Sequence, residues 1–236
     1  MGQLVGVLGG LGPLATVYFM QSVIDCTEAH SDQDHVDMVV TQHSSTPDRT
    51  AAILDGGESP APAMAADARM LEKAGADFIV IPCNTATNFM QAVECAVQIP
   101  VVNIVAQTVA ELKRRGVGKG DLVAILATKG TIASGIYQEE LTKAGYKPLV
   151  PAESLQERVT ALIYRFVKAG RKVPAEEFYA VIDAVKANGA QAVVTGCTEL
   201  SVVYKDLQVS DRAVIDSLDV LARLTVVKAG KKLKND

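Results

Sequence analysis

The sequence predicts an α/β protein of two pseudo-symmetric lobes, each a mostly parallel sheet flanked by helices and related by internal duplication. Three observations carry this. Runs rich in Val and Ile, apolar on both faces, alternate with longer segments of helical period, the pattern of a parallel sheet covered on both sides. The stretch GADFIVIPCNT, Gly75 to Thr85, returns as GAQAVVTGCTE, Gly189 to Glu199. A second pair, VGVLGGLGPLAT from Val5 and VAILATKGTIAS from Val123, repeats in the same order. The offsets are 118 residues (123 − 5) and 114 residues (197 − 83), so the two pairs are nearly in phase. Repeats in consistent order and phase indicate duplication of one folding unit.

Strands are expected at Leu4–Leu8, Met38–Thr41, Phe78–Ile81, Val101–Ile104, Leu122–Leu126, Lys147–Val150 and Ala192–Thr195, with Ala213–Ile215 completing the set. Helices are expected near 14–29, 61–74, 86–97, 105–115, 134–144, 153–168, 175–188 and 217–229. Their punctuation agrees. Pro174 precedes Ala175-Glu176-Glu177, a proline and two acids where a helix begins. Gly75, Gly116, Gly145, Gly170 and Gly189 each follow a helical stretch as a C-terminal stop. The expected N-terminal lobe is 1–105 plus 210–236, and the expected C-terminal lobe is 106–209. The site is expected in the cleft between them.

The chain has 236 residues, 49% of them hydrophobic, which suffices for a sizeable core without disulfides or metal. Its formal net charge of −4 gives no electrostatic footprint for nucleic acid. The lysines near the C-terminus (Lys228, Lys231, Lys232, Lys234) read as a solvated tail. No apolar run is long enough to span a membrane. The opening MGQLVGVLGG does not read as a signal peptide, and Gly6 stands where a myristoylation motif wants Ser or Thr. The expectation is a cytoplasmic protein whose four cysteines are reduced. No zinc-type spacing links them to histidine.

Cys83 and Cys197 are the leading candidates for chemistry. Each follows a strand at the carboxyl edge of its sheet, where ligands of parallel α/β sheets bind. Each precedes a helical segment whose N–H groups would lower a thiol pKa. Asn84 and Thr85 follow one, Thr198 and Glu199 the other. Two thiols tuned to opposite protonation states suit two-base proton transfer at carbon, one removing a proton and the other delivering one to the opposite face. Cys26 and Cys95 fall inside helices with no counterpart in the other half and read as core residues. Arg49, just after a strand in Ser44-Ser45-Thr46-Pro47-Asp48-Arg49-Thr50, is placed to hold a carboxylate. Lys168, in the last turn of a helix, is ordinary by pattern. The stretch Gly10-Leu11-Gly12-Pro13-Leu14-Ala15 matches a dinucleotide fingerprint, but the next strand ends in Thr41-Gln42 without the acid that ribose needs, so a nicotinamide cofactor is discounted. His30, His35 and His43, with Asp32, Asp34 and Asp37, show no ligand spacing, and only His43 lies at a strand end near Arg49.

These residues resemble the aspartate/glutamate racemase family, which works without pyridoxal phosphate. The resemblance covers nearly the whole chain and rests on GVLGGLGPLAT, Pro47-Asp48-Arg49-Thr50, IPCNTA, GCTEL and Lys168-Ala169-Gly170. It implies no cofactor, a small amino-acid or dicarboxylate substrate, and a homodimer. It implies Cys83 and Cys197 as the acid/base pair, and Arg49 and Lys168 as ligands of the substrate's side-chain carboxylate. Asn84, Thr85, Thr198, Glu199 and the Gly12 and Thr131 turns would hold the α-carboxylate and amine. The chain departs from the family pattern at Thr87 and Leu221, where histidines are common, and at Gln42, where asparagine is frequent. Aspartate or glutamate racemisation is the expected activity. A cysteine-dependent isomerase or decarboxylase of a small dicarboxylic acid stays open beside it, as does a small-ligand-binding protein without turnover.

Overall fold

In the first unit, strand β1 (Val5–Gly9) lies between β2 (Met38–Gln42) and β3 (Phe78–Val80), and β4 (Val101–Val102) closes the sheet beyond β3. Every pairing is parallel, with Val5 opposite both Met38 and Phe78, and Ile79 opposite Val101. The second unit repeats the plan. β5 (Leu122–Leu126) lies between β6 (Lys147–Leu149) and β7 (Ala192–Thr195), with β8 (Val214–Asp216) beyond β7. Its pairings are parallel as well. Both sheets therefore have the order 2-1-3-4, as duplication requires. The structure, a computed structural model, describes residues 2–234.

The helices are α1 (Pro13–Cys26), α2 (Arg49–Leu54), α3 (Ala61–Lys73), α4 (Met90–Glu94), α5 (Ile104–Arg114), α6 (Lys129–Ser134), α7 (Ile136–Ala144), α8 (Glu153–Ala161), α9 (Ala175–Ala187), α10 (Thr198–Asp206) and α11 (Ser217–Lys228). Val5, Val7 and Leu8 of β1 are fully buried although they alternate between faces, so helices cover the sheet on both sides. Leu8, Met64, Leu71 and Ile79 anchor the core of the first unit. Ile125, Val193, Val194, Phe178 and Ile182 do the same in the second. Each such side chain contributes about 1.5–3 kcal/mol by leaving water. The five glycine stops all have positive φ, the left-handed backbone of a helix C-terminus.

The first unit comprises residues 1–104 with 218–236, and the second comprises 105–217. Residues 210–217 therefore belong to the second unit, not to the N-terminal lobe as expected. The reason is pairing: β8 bonds to β7, with Val193 N–H donating to the Ala213 carbonyl at 2.8 Å. α11 returns the chain to the first unit. There the Gln3 N–H donates to the Ala229 carbonyl at 3.1 Å, and Thr27 bridges Leu233 in antiparallel fashion.

Three helical segments differ from expectation. The 86–97 helix is a tight i→i+3 turn over Thr85–Phe89 followed by the short α4, because Asn84, Thr85, Thr87 and Asn88 are poor helix formers. The 134–144 helix starts only at Ile136, because Gly135, at φ 73°, separates it from α6, a short helix that was not expected. The 153–168 helix is regular only to Ala161, and residues 162–167 form a wider π-type turn. Cys26 and Cys95 are corrected too: Cys26 is half-buried and Cys95 exposed, so neither is a core residue. Among the described residues, no helix is long and apolar enough to cross a membrane.

Candidate active site

Both candidate thiols stand at the same topological point, just past the third strand of a 2-1-3-4 sheet. β3 runs out through Pro82, and the Cys83 N–H closes a tight turn onto the Ile81 carbonyl at 2.8 Å. Cys83 is 6% exposed. In the second unit the Gly196 N–H bonds the Leu126 carbonyl at 2.8 Å, fixing the exit of β7. A Cβ on Gly196 would lie 2.8 Å from Cε2 of the fully buried Tyr137, so glycine is required for this approach. Cys197 follows as the N-terminal cap of α10, its carbonyl accepting from the Leu200 N–H at 2.9 Å. It is 4% exposed, and both thiols are free.

The surroundings of the two thiols differ. The Cys197 Sγ–H donates to Oε2 of Glu199 at 3.0 Å. The other oxygen of that carboxylate, Oε1, lies 3.2 Å from the Lys168 ammonium. Burial and the Glu199 carboxylate push the Cys197 thiol well up, and Lys168 only partly offsets them. The helix N-terminus was expected to lower this thiol, but burial beside an anion outweighs it. Burial alone would lower Lys168, yet the charges of Glu199, Cys197 and Tyr164 lift it to about 12. The Tyr164 ring lies beneath the Lys168 ammonium at 5.3 Å. The π-type turn delivers this lysine: Lys168 N–H bonds the Ile163 carbonyl, five residues back, at 2.9 Å, and the turn packs on α10. Such local widening recurs at functional sites.

In the first unit, Asp48 caps α2 by accepting from the Ala51 N–H at 2.8 Å, and Arg49 follows as the first helical residue. α2 packs against the turn that follows Cys83. Arg49 is 8% exposed, not a solvated surface group. One guanidinium nitrogen donates to the Thr46 carbonyl at 3.2 Å and the Pro47 carbonyl at 3.0 Å, while its buried Nε has no partner. No ion pair to Arg49 occurs among the described residues. A buried guanidinium without a counter-charge is costly unless an anion completes it. The Thr46 hydroxyl donates to the His43 carbonyl at 2.8 Å, and His43 Nδ1 pairs with the buried Asp67 at 2.9 Å.

The other expected site residues are placed as follows. Asn84, Thr85 and Thr198 are buried beside the two thiols. Gly12 caps α1, with Pro13 as the first helical residue. Thr131 is fully buried; its N–H donates to the Thr128 hydroxyl at 3.1 Å, so Thr128 caps α6, and that hydroxyl in turn donates to the Thr131 hydroxyl at 3.0 Å. Leu221 is fully buried, Thr87 is half-buried, and the Gln42 side-chain amide donates to the Pro13 carbonyl at 3.2 Å. Asp34 caps its own loop, receiving bonds from the His30 and Ser31 N–H groups. Asp67, Tyr137 and Asp216 were not singled out from sequence. Asp67 did leave a signal, since it shares a helix face with the buried Met64, Ala68 and Leu71.

Both units thus carry a buried thiol after the third strand of a parallel sheet. Residues 8–225 match the Asp/Glu/hydantoin racemase family, and the chain belongs to it. Among solved structures it is similar to an aspartate racemase of Picrophilus torridus, at 33% identity, covering 99% of this chain and 96% of that one, with a TM-score of 0.86. The broad specificity amino-acid racemase RacX of Bacillus subtilis is 29% identical over 227 residues, 94% of this chain and 96% of the relative. An aspartate racemase homologue from Pyrococcus horikoshii shares the fold at 24% identity, with a TM-score of 0.78 over 97% of this chain and 99% of that one.

Proposed function

We propose that this protein racemises an acidic amino acid, aspartate or glutamate, without a cofactor, by two-base proton transfer between Cys83 and Cys197. The observation that carries the proposal is the thiol pair itself, two free and buried cysteines at equivalent points of two duplicated units. One sulfur takes the α-proton as thiolate, and the other thiol returns a proton to the opposite face of the carbon. Arg49 then supplies the cation for a substrate carboxylate, a role supported by its having no ion pair among the described residues. The homodimer implied by the resemblance and the cytoplasmic location expected from the sequence belong to the same proposal.

A second reading, racemisation of a broader set of amino acids, is favoured by one contact. The Lys168 charge is already met by Glu199, so a second substrate carboxylate is not needed to neutralise it. The similarity to a broad-specificity racemase points the same way. Incubating single enantiomers of aspartate, glutamate and alanine in deuterated water, with Cα exchange and inversion followed by NMR, separates the readings. Cys83→Ser and Cys197→Ser are each expected to lose about 100- to 10,000-fold in turnover. Normal racemisation by both variants would sink the two-thiol mechanism, and binding without exchange would sink the racemase.

A further inference from the structure

The two thiols occupy equivalent positions, but their neighbours do not match. Two residues after Cys197 stands Glu199, and two residues after Cys83 stands Thr85. The carboxylate on one side has no ionisable counterpart at that position on the other. Glu199 is engaged at both oxygens: Oε1 with the Lys168 ammonium at 3.2 Å, and Oε2 with Cys197 Sγ at 3.0 Å. The contact at Oε1 is an ion pair, with the carboxylate as its negative member. A sulfur at hydrogen-bond distance from the other oxygen then has to carry the hydrogen, because a thiolate there would face an anion with no proton between them.

We infer that Glu199 is a positioning residue that holds Cys197 as the protonated member of the thiol pair in the free protein. Cys197 is thus the acid at rest, and the first proton abstraction falls to Cys83. The inference rests on the two-thiol reaction proposed above and assigns its starting state. The proton count balances. Cys83 as thiolate takes the α-proton and becomes a thiol. Cys197 gives its hydrogen to the carbon and becomes a thiolate beside Glu199. The product complex is therefore left with the less favourable arrangement, two anions side by side. The Lys168 ammonium stabilises that state, and transfer of a proton from water to Cys197 with loss of one from Cys83 resets the pair.

The test is a pH titration of the protein labelled with 13C at the cysteine Cβ atoms, with the Cys197 signal assigned by its loss in Cys197→Ser. In the wild-type chain Cys197 is expected to remain a thiol through neutral pH and to titrate above the ordinary thiol range. Glu199→Gln is expected to lower the midpoint, raising the thiolate fraction at a fixed alkaline pH by roughly tenfold or more. Lys168→Met is expected to move the midpoint the other way. A wild-type Cys197 that titrates within or below the ordinary range overturns the inference, as does a midpoint unmoved by Glu199→Gln. The titration reads ionisation without turnover. A chain that shows the Glu199-dependent midpoint yet racemises nothing refutes the racemase reading alone. One that racemises with Cys197 already a thiolate refutes this assignment alone.

Discussion

Thr195 and Asp216, at the ends of the neighbouring strands β7 and β8, share a 2.6 Å hydrogen bond between hydroxyl and carboxylate in a fully buried setting. Its position makes it a support for the candidate site: Cys197 lies two residues beyond Thr195, whose carbonyl accepts from the Ser217 hydroxyl at 2.8 Å. Replacing Thr195 by Val keeps the shape and removes one donor from a buried carboxylate. The expected cost is about 1–3 kcal/mol. A urea titration checks it, as a lower midpoint with an unchanged slope.

Arg49→Met separates stability from function. The buried guanidinium has an unpartnered Nε and no ion pair among the described residues. An apolar side chain of similar length is expected to leave the melting temperature unchanged or to raise it. On aspartate, kcat/KM is expected to fall roughly 10- to 100-fold, the size of a lost charge-assisted hydrogen bond. A variant that loses stability and keeps its activity would assign Arg49 to structure.

Gly196→Ala is expected to destabilise the second unit by about 1–3 kcal/mol, the usual cost of overpacking. The added methyl group would meet the Tyr137 ring at 2.8 Å, and that ring is fully buried and cannot retreat into solvent. Differential scanning calorimetry measures the cost. Loss of turnover at temperatures where the variant stays folded would show that the Cys197 thiol has also shifted.

The Lys168–Glu199 pair sets an alkaline limit. Lys168 is raised above its unfolded value, to about 12. Its contribution is therefore fully present below the ordinary lysine range and is lost as pH rises through about 12. Unfolding free energy from this pair is expected to be flat across neutral pH and to decline only in strong alkali. Glu199→Gln is expected to remove that decline from a series of denaturant titrations at rising pH.

Much of the fold was legible in the sequence, for definite physical reasons. Strands buried on both faces are largely apolar, so Phe78–Val80 and the Ala-Val-Val of β7 stand out as unbroken runs. Glycines such as Gly75 and Gly189 mark helix ends because the left-handed backbone there suits them. Duplication then brought Cys83 and Cys197 forward together. The partners of the site were less visible. Lys168 reads as an ordinary C-terminal lysine until the π-type turn and the packing of α10 bring it to Glu199, a tertiary effect that local pattern does not encode. The burial of Arg49 was hidden for the same reason. The lobe boundary was misplaced because β8 has only three residues, and its membership rests on a ladder to β7 rather than on composition.

The path of the chain also bears on how the protein is made. The second unit is one contiguous stretch, residues 105–217, whereas the first needs α11, which is translated after the second unit. On the ribosome the second unit can reach its final form while the first still lacks a helix. The N-terminal sheet must wait through the synthesis of its duplicate before its last helix arrives. The unit that begins first is thus the one whose residues are completed second.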